Sequence, residues 1–97
     1  MTITKSVVEN TVTLEVEGRV DTTTAPELDK EIKLLEEDNL VLDFAKLEYI
    51  SSAGLRVLLA AQKSYKAREG KMIVKNVNDD VNEVFEITGF TDILTIE

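Results

Sequence analysis

Cysteine, histidine and tryptophan are absent from this chain. Without thiols there is no disulfide framework and no thiolate zinc site. Without imidazole there is no Ser-His-Asp or Cys-His hydrolytic centre and no His-ligated metal. A carboxylate-only magnesium or calcium site would need a supporting loop pattern, and none is present. Basic residues are scarce, 11 against 19 acidic, for a net charge of −8. A field of that sign repels phosphate backbones and anionic lipid heads and favours a basic protein partner. Long apolar runs are missing too. The longest strictly apolar stretch, Val57 to Ala61, falls far below the ~20 residues of a membrane span. Met1 to Lys5 lacks the apolar core of a signal peptide. The expectation is a cytoplasmic protein that binds no nucleic acid, inserts in no membrane and carries no cofactor.

What is present suits a globular chain. The sequence has 97 residues, 43% hydrophobic and 31% charged. At 10.8 kDa, roughly 65% of the unfolded surface is removed from water on folding, enough for one modest core. A single domain over residues 1–97 is expected.

Proline occurs once and glycine four times, so each is informative punctuation. Thr11 to Glu17 alternates: Val12, Leu14 and Val16 face one way, threonines and glutamates the other. That is a strand with one wet side. Ile3 to Val8 precedes it, with Glu9-Asn10 as a tight hairpin turn. Thr24-Ala25-Pro26-Glu27 reads as a helix start, Thr24 capping and Glu27 reaching back. Leu28, Ile32 and Leu35 continue it as one apolar stripe, and Glu36-Glu37-Asp38 ends it at a solvated corner. Leu40 to Phe44 and Met72 to Val74 are nearly continuous apolar runs, as in strands covered on both faces. Between them, Ser52 to about Glu69 reads as a long helix stopped by Gly70, deeply packed in its first half. Asn78 caps a third helix, with Val81, Val84, Phe85 and Thr88 on one face and Gly89 ending it. Ile93 to Ile96 is a last short strand. Strands alternating with helices after an opening hairpin give an α/β fold. Its sheet is mixed but mostly parallel, with an N-terminal antiparallel hairpin and helices packed on it.

Gly18 and Gly54 stand alone, so no phosphate loop or dinucleotide fingerprint is present, and the chain is not expected to be an enzyme. The segment that carries chemistry is Tyr49-Ile50-Ser51-Ser52-Ala53-Gly54-Leu55, which joins a buried strand to a buried helix. The carboxyl end of a strand is where function sits in open parallel sheets. A serine opening a helix can be an N-cap that satisfies an orphan N–H. It can equally be a phosphoacceptor, because a phosphate there meets free N–H groups and the positive dipole end. The two roles are compatible if the capping serine is also the exposed one.

Gly18-Arg19-Val20-Asp21-Thr22-Thr23-Thr24-Ala25, Leu42-Asp43-Phe44, Tyr49 to Leu59 and Ile87-Thr88-Gly89-Phe90 together resemble a STAS domain of the bacterial anti-sigma factor antagonist type. The resemblance covers almost the whole chain. It implies the STAS fold and a partner-switching role in transcription regulation. Such a protein captures an anti-sigma factor, a serine kinase with a GHKL-type ATP-binding fold, and so frees a sigma factor. Phosphorylation of the antagonist breaks the complex, and a PP2C-type phosphatase restores it. Alignment on Gly54-Leu55 places the acceptor at Ser52, with Ser51 as second choice. Many members have an aspartate where Ser51 stands and a second hydroxyl where Ala53 stands. Members also usually carry a helix after the last strand, whereas this sequence stops at Glu97.

Around the acceptor, the partner surface is assigned to Asp21, Thr22, Thr23, Ser51, Ala53, Gly54 and Arg56. Asp21 matches a family aspartate near the acceptor and is equally readable as a turn residue bonding its own backbone. Asp43 reads as a strand-end carboxylate bonding the next loop. Arg56 is a cation at the unfavourable end of a helix, which points to a partner or a phosphate. The alternative within the same fold is a STAS accessory subunit of an ABC-type lipid-transport complex.

Overall fold

The computed structural model describes all of residues 1–97. The hairpin comes first: β1 (Thr2–Val8) and β2 (Thr11–Val20) pair antiparallel across a turn at Glu9 and Asn10. Then follow α1 (Ala25–Lys33), β3 (Asn39–Asp43), β4 (Leu47–Ile50), α2 (Ser52–Ala67), β5 (Lys71–Lys75), α3 (Asp79–Thr88) and β6 (Thr95–Ile96). A short 3-10 turn, Phe90–Asp92, precedes β6. The sheet runs β1-β2-β3-β5-β6, antiparallel at the hairpin and parallel after it. No helix is long and apolar enough to cross a membrane.

Strand β4 is absent from the sequence reading, and it matters most for the site. β2 is 10 residues long and serves two partners in turn. Its first half pairs with β3, from Thr11↔Asn39 to Glu15↔Asp43. At Gly18, with φ +99°, the register shifts, and the last turn of strand pairs with β4 up to Val20↔Ile50. β3 leaves the sheet at Phe44 and β4 takes over its edge. Four residues with only Leu47 and Ile50 buried make neither an alternation nor an apolar run, so no period marks them.

The core face is set by register. Val12 and Leu14 line up with Leu40 and Leu42, and these with Met72 and Val74, all buried, as is Val16 beyond the β3 pairing. The opposite face is only half-covered: Thr13, Val41 and Ile73 are neither buried nor fully exposed. The expectation of strands covered on both faces is therefore corrected. The strand order runs β2, β3, β5, β6 without reversing, so right-handed crossovers carry α1 and α2 over the same face. Leu28 and Ile32 of α1, Leu35 just beyond it, and Leu55, Leu58, Ala61 and Tyr65 of α2 join one cluster with the sheet residues.

Two helix ends differ in mechanism from their sequence signals. At α1, Thr24 makes no side-chain cap bond, so the Thr24–Glu27 capping box does not form. Its hydroxyl donates instead to the Arg19 carbonyl at 2.9 Å. The α2 helix stops at Ala67, and the left-handed residue is Glu69 (φ 59°), not Gly70. Glu69 N–H bonds the Lys66 carbonyl and Gly70 N–H bonds the Tyr65 carbonyl, the paired closure of a Schellman motif. Gly70 is required for a different reason: a Cβ there would lie 2.1 Å from the Asp38 carbonyl oxygen. At α3 the expected cap forms, Asn78 Oδ1 accepting from Val81 N–H at 2.8 Å, and Gly89 closes the helix at φ +78°.

Candidate functional site

β2 and β4 end together, and that places the site. Val20 is opposite Ile50, and Ser51 N–H donates to the Val20 carbonyl at 2.8 Å. The loop after β2 (Asp21 to Thr24) and the start of α2 (Ser51 to Gly54) therefore emerge side by side at the carboxyl end of two parallel strands. Of the residues singled out from sequence, Asp21, Thr22, Thr23, Ser51, Ser52, Ala53 and Gly54 belong to these two segments, and Arg56 lies two residues further along α2.

The two serines divide the work that the sequence reading gave to one. Ser51 is the N-cap of α2: its backbone is extended (φ −92°, ψ 175°) and its Oγ accepts from Gly54 N–H at 3.3 Å. It is half-buried. Ser52 is the first helical residue, is exposed and makes no side-chain hydrogen bond within the chain. The idea that the capping serine is also the exposed one is thus corrected. With Gly54 N–H taken by the cap, the N–H groups of Ser52 and Ala53 remain the unpaired donors at this helix end.

Gly54 is buried rather than presented to a partner. A Cβ on it would sit 2.6 Å from Ile50 Cγ1 and 2.8 Å from Val20 Cγ1. Its part is to let the first turn of α2 lie directly on the ends of β2 and β4, which fixes how far Ser52 protrudes.

Asp21 is a structural keystone of the neighbouring loop. Its Oδ1 accepts from Thr23 N–H (3.0 Å), Thr23 Oγ (2.7 Å) and Thr24 N–H (3.1 Å), while its carbonyl accepts from Ala25 N–H. The Thr23 hydroxyl bond foremost, then the backbone N–H of Thr24, holds the carboxyl down at about 2. Asp21 rather than Thr24 is therefore the residue that organises the entry to α1. Thr22 and Thr23 are exposed on the same loop. Asp43 bonds Ala45 N–H and Asn76 Nδ2, each at 3.0 Å, as expected of a carboxylate tying down the next loop.

Arg19 and Tyr49 are site neighbours that sequence reasoning left unassigned. They are adjacent to Val20 and Ile50, the Arg19 guanidinium lies 4.4 Å from the Tyr49 ring centre, and Tyr49 is exposed. The pair is half apolar and, with Asp80, Val81 and Val84 of α3, lines a groove next to the ends of β2 and β4. Their pairing across β2 and β4 depends on the strand that periodicity misses. No group of three or more acidic side chains converges to hold a metal.

Comparison with known proteins agrees with this architecture. A Bordetella bronchiseptica protein, BtrV, named as a candidate anti-sigma factor antagonist, is 37% identical over 84 residues, covering 84% of this chain and 72% of its own. The anti-sigma-B factor antagonist of Listeria monocytogenes is 32% identical over 85 residues, covering 84% of this chain and 75% of its own. The anti-sigma factor antagonist SpoIIAA shares the fold in its unphosphorylated form: TM-score 0.83, 19% identity, 99% of this chain and 88% of that one. Its phosphorylated form, from Bacillus, also superposes, at TM-score 0.78 and 18% identity, over 99% of this chain and 91% of that one. The family description "STAS domain" matches residues 2–97, so the chain belongs to the STAS domain family.

Proposed function

We propose that this chain is an anti-sigma factor antagonist whose docking face surrounds Ser52 and which is switched off by phosphorylation there. The relatives' names support the role, and SpoIIAA supports a phosphorylated state on the same fold. The observation that carries the assignment of the residue is the split between the serines: Ser51 Oγ is engaged as the cap and Ser52 Oγ is exposed and free.

The partner is an anti-sigma factor that is also a GHKL-type serine kinase. In the unmodified protein, Thr22, Thr23, Ser52 and Ala53 form its contact surface, and the sigma factor is released. The kinase transfers the γ-phosphoryl group of ATP to Ser52 Oγ, breaking the bond to the β–γ bridging oxygen, releasing ADP and passing the hydroxyl proton to a base on the kinase. A dianion then stands in an interface that had excluded water, and without matching cations it carries a desolvation cost. A loss of about 3 kcal/mol weakens binding roughly a hundredfold. The helix itself tolerates the group, since its amino end favours negative charge. A PP2C-type phosphatase resets the switch.

The test is incubation with the cognate kinase and ATP, site mapping by mass spectrometry, and partner titration. S52A is expected to bind the anti-sigma factor and accept no phosphate, S51A to remain a substrate, and S52D to bind at least tenfold more weakly. Phosphate found on Ser51, or on neither serine, overturns the assignment.

A further inference from the structure

The chain has three arginines, Arg19, Arg56 and Arg68. Two are occupied. Arg19 lies over Tyr49, and Arg68 lies 4.2 Å from the Tyr65 ring centre while donating to the Glu37 carbonyl. Arg56 is exposed and enters neither an ion pair nor a ring contact. It is the fifth residue of α2, one turn in from the amino end, and no acidic residue stands in the first turn to engage it.

Ser52 and Arg56 are four apart on α2, so their side chains share one face, one turn above the other. That spacing, with the anionic member nearer the amino end, is the favourable order for an ion pair on a helix. We infer that Arg56 is the counter-ion of the phosphate on Ser52, closing over two of its oxygens with its guanidinium fork. This inference rests on the reading of Ser52 as the phosphoacceptor and deepens it.

The pairing gives the phosphate a fixed orientation. Planar guanidinium matches phosphate bidentately, where an ammonium acts as a point charge. The unpaired N–H groups of Ser52 and Ala53 lie at the same helix end. Of the other charged groups nearby, Asp21 Oδ1 takes the loop donors and Arg19 stacks on Tyr49, while Glu48 and Asp80 line the groove beyond Tyr49. Before phosphorylation, Arg56 is a free cation beside an exposed hydroxyl. Afterwards it is tied to the modified helix turn, so one event both adds the dianion and withdraws a cation from the docking face.

The experiment uses the full 97-residue chain made by chemical synthesis with phosphoserine at position 52, so no kinase is required. The second ionisation of the phosphate is followed by phosphorus NMR in the otherwise unchanged chain and in R56Q, R56K and K63A, each checked for fold by circular dichroism. Lys63 stands about 16 Å further along α2 and controls for loss of one positive charge. The phosphate is expected to ionise roughly 0.3 to 1 pH unit lower with Arg56 than in R56Q. R56K should recover part of the shift, K63A should titrate with Arg56 intact, and the difference should shrink in about 1 M salt. Coincident curves for the Arg56 chain and R56Q, or an equal displacement in K63A, overturn the inference. Failure of the kinase to modify Ser52 would instead sink the reading of the acceptor, with the titration still reporting on Arg56.

Discussion

Two adjacent serines have the same chemistry and opposite assignments, because one backbone step separates the cap from the first helical residue. Ser51 Oγ satisfies a helix donor, whereas Ser52 Oγ satisfies none within the chain. S51A is therefore expected to lower stability by about 1 kcal/mol, and S52A to change it by less than about 0.5 kcal/mol. Urea denaturation of the two variants, with unchanged slopes, measures the contrast, and equal midpoints would remove it. Asp21 gives the residue-scale pH dependence. Its carboxyl ionises at about 2 in the fold against an ordinary 3.8, so its charged form stabilises the native state. A lowered native value means that the contribution is present above about 4 and is lost as pH falls toward 2. The acid limb of a thermal-denaturation series should be flatter for D21N than for the unsubstituted chain across that window. At this scale the sequence was half legible. It showed that a hydroxyl opens α2 and that a carboxylate precedes α1. Which oxygen meets which N–H depends on backbone angles that residue type does not encode: Thr24 carries a capping side chain and spends it on the Arg19 carbonyl.

Glycine and its neighbours decide how the elements meet. At the end of α2, Glu69 occupies the left-handed position in the closing turn, at φ 59°. A non-glycine residue there costs about 1–2 kcal/mol, so E69G should stabilise the protein by roughly 0.5–1 kcal/mol after the entropy cost of glycine. A lower melting temperature for E69G would contradict this account of the turn. G54A has the opposite sign. Its methyl group would press on Ile50 and Val20 at under 3 Å, and relieving that contact means lifting the first turn of α2. A loss of about 1–3 kcal/mol is expected, measured by urea denaturation. If α2 is displaced with it, the proposed phosphorylation of Ser52 should slow as well. A G54A protein as stable as the parent and modified at the same rate would show that this close approach is dispensable. The helices and the hairpin were readable from hydrophobic period, and both ends of α3 from Asn78 and Gly89. β4 was not, since its pairing to β2 becomes possible only once Gly18 has shifted the register and β3 has turned away.

For the whole molecule the dominant quantity is the net charge of −8. It gives a field that steers cationic surfaces toward the protein. The rate of association with its partner is therefore expected to fall about tenfold or more between low and high ionic strength, while dissociation changes little. Stopped-flow mixing over a salt series tests this, and a salt-independent association rate excludes electrostatic steering. Charge, composition and hydrophobic period are sums and patterns along the chain, and they sufficed for the three helices, the hairpin and its core face, and the mostly parallel sheet, but not for β4 or for the true extent of β6, which is Thr95–Ile96 rather than Ile93–Ile96. Tertiary structure alone decided the rest: that one sheet face stays half-open because the strand order never reverses, that β2 and β4 end side by side, and that Ser52 rather than Ser51 is left with a free hydroxyl. Each of those depends on contacts between residues far apart in sequence, and a one-dimensional pattern has no way to record which distant backbone groups become neighbours.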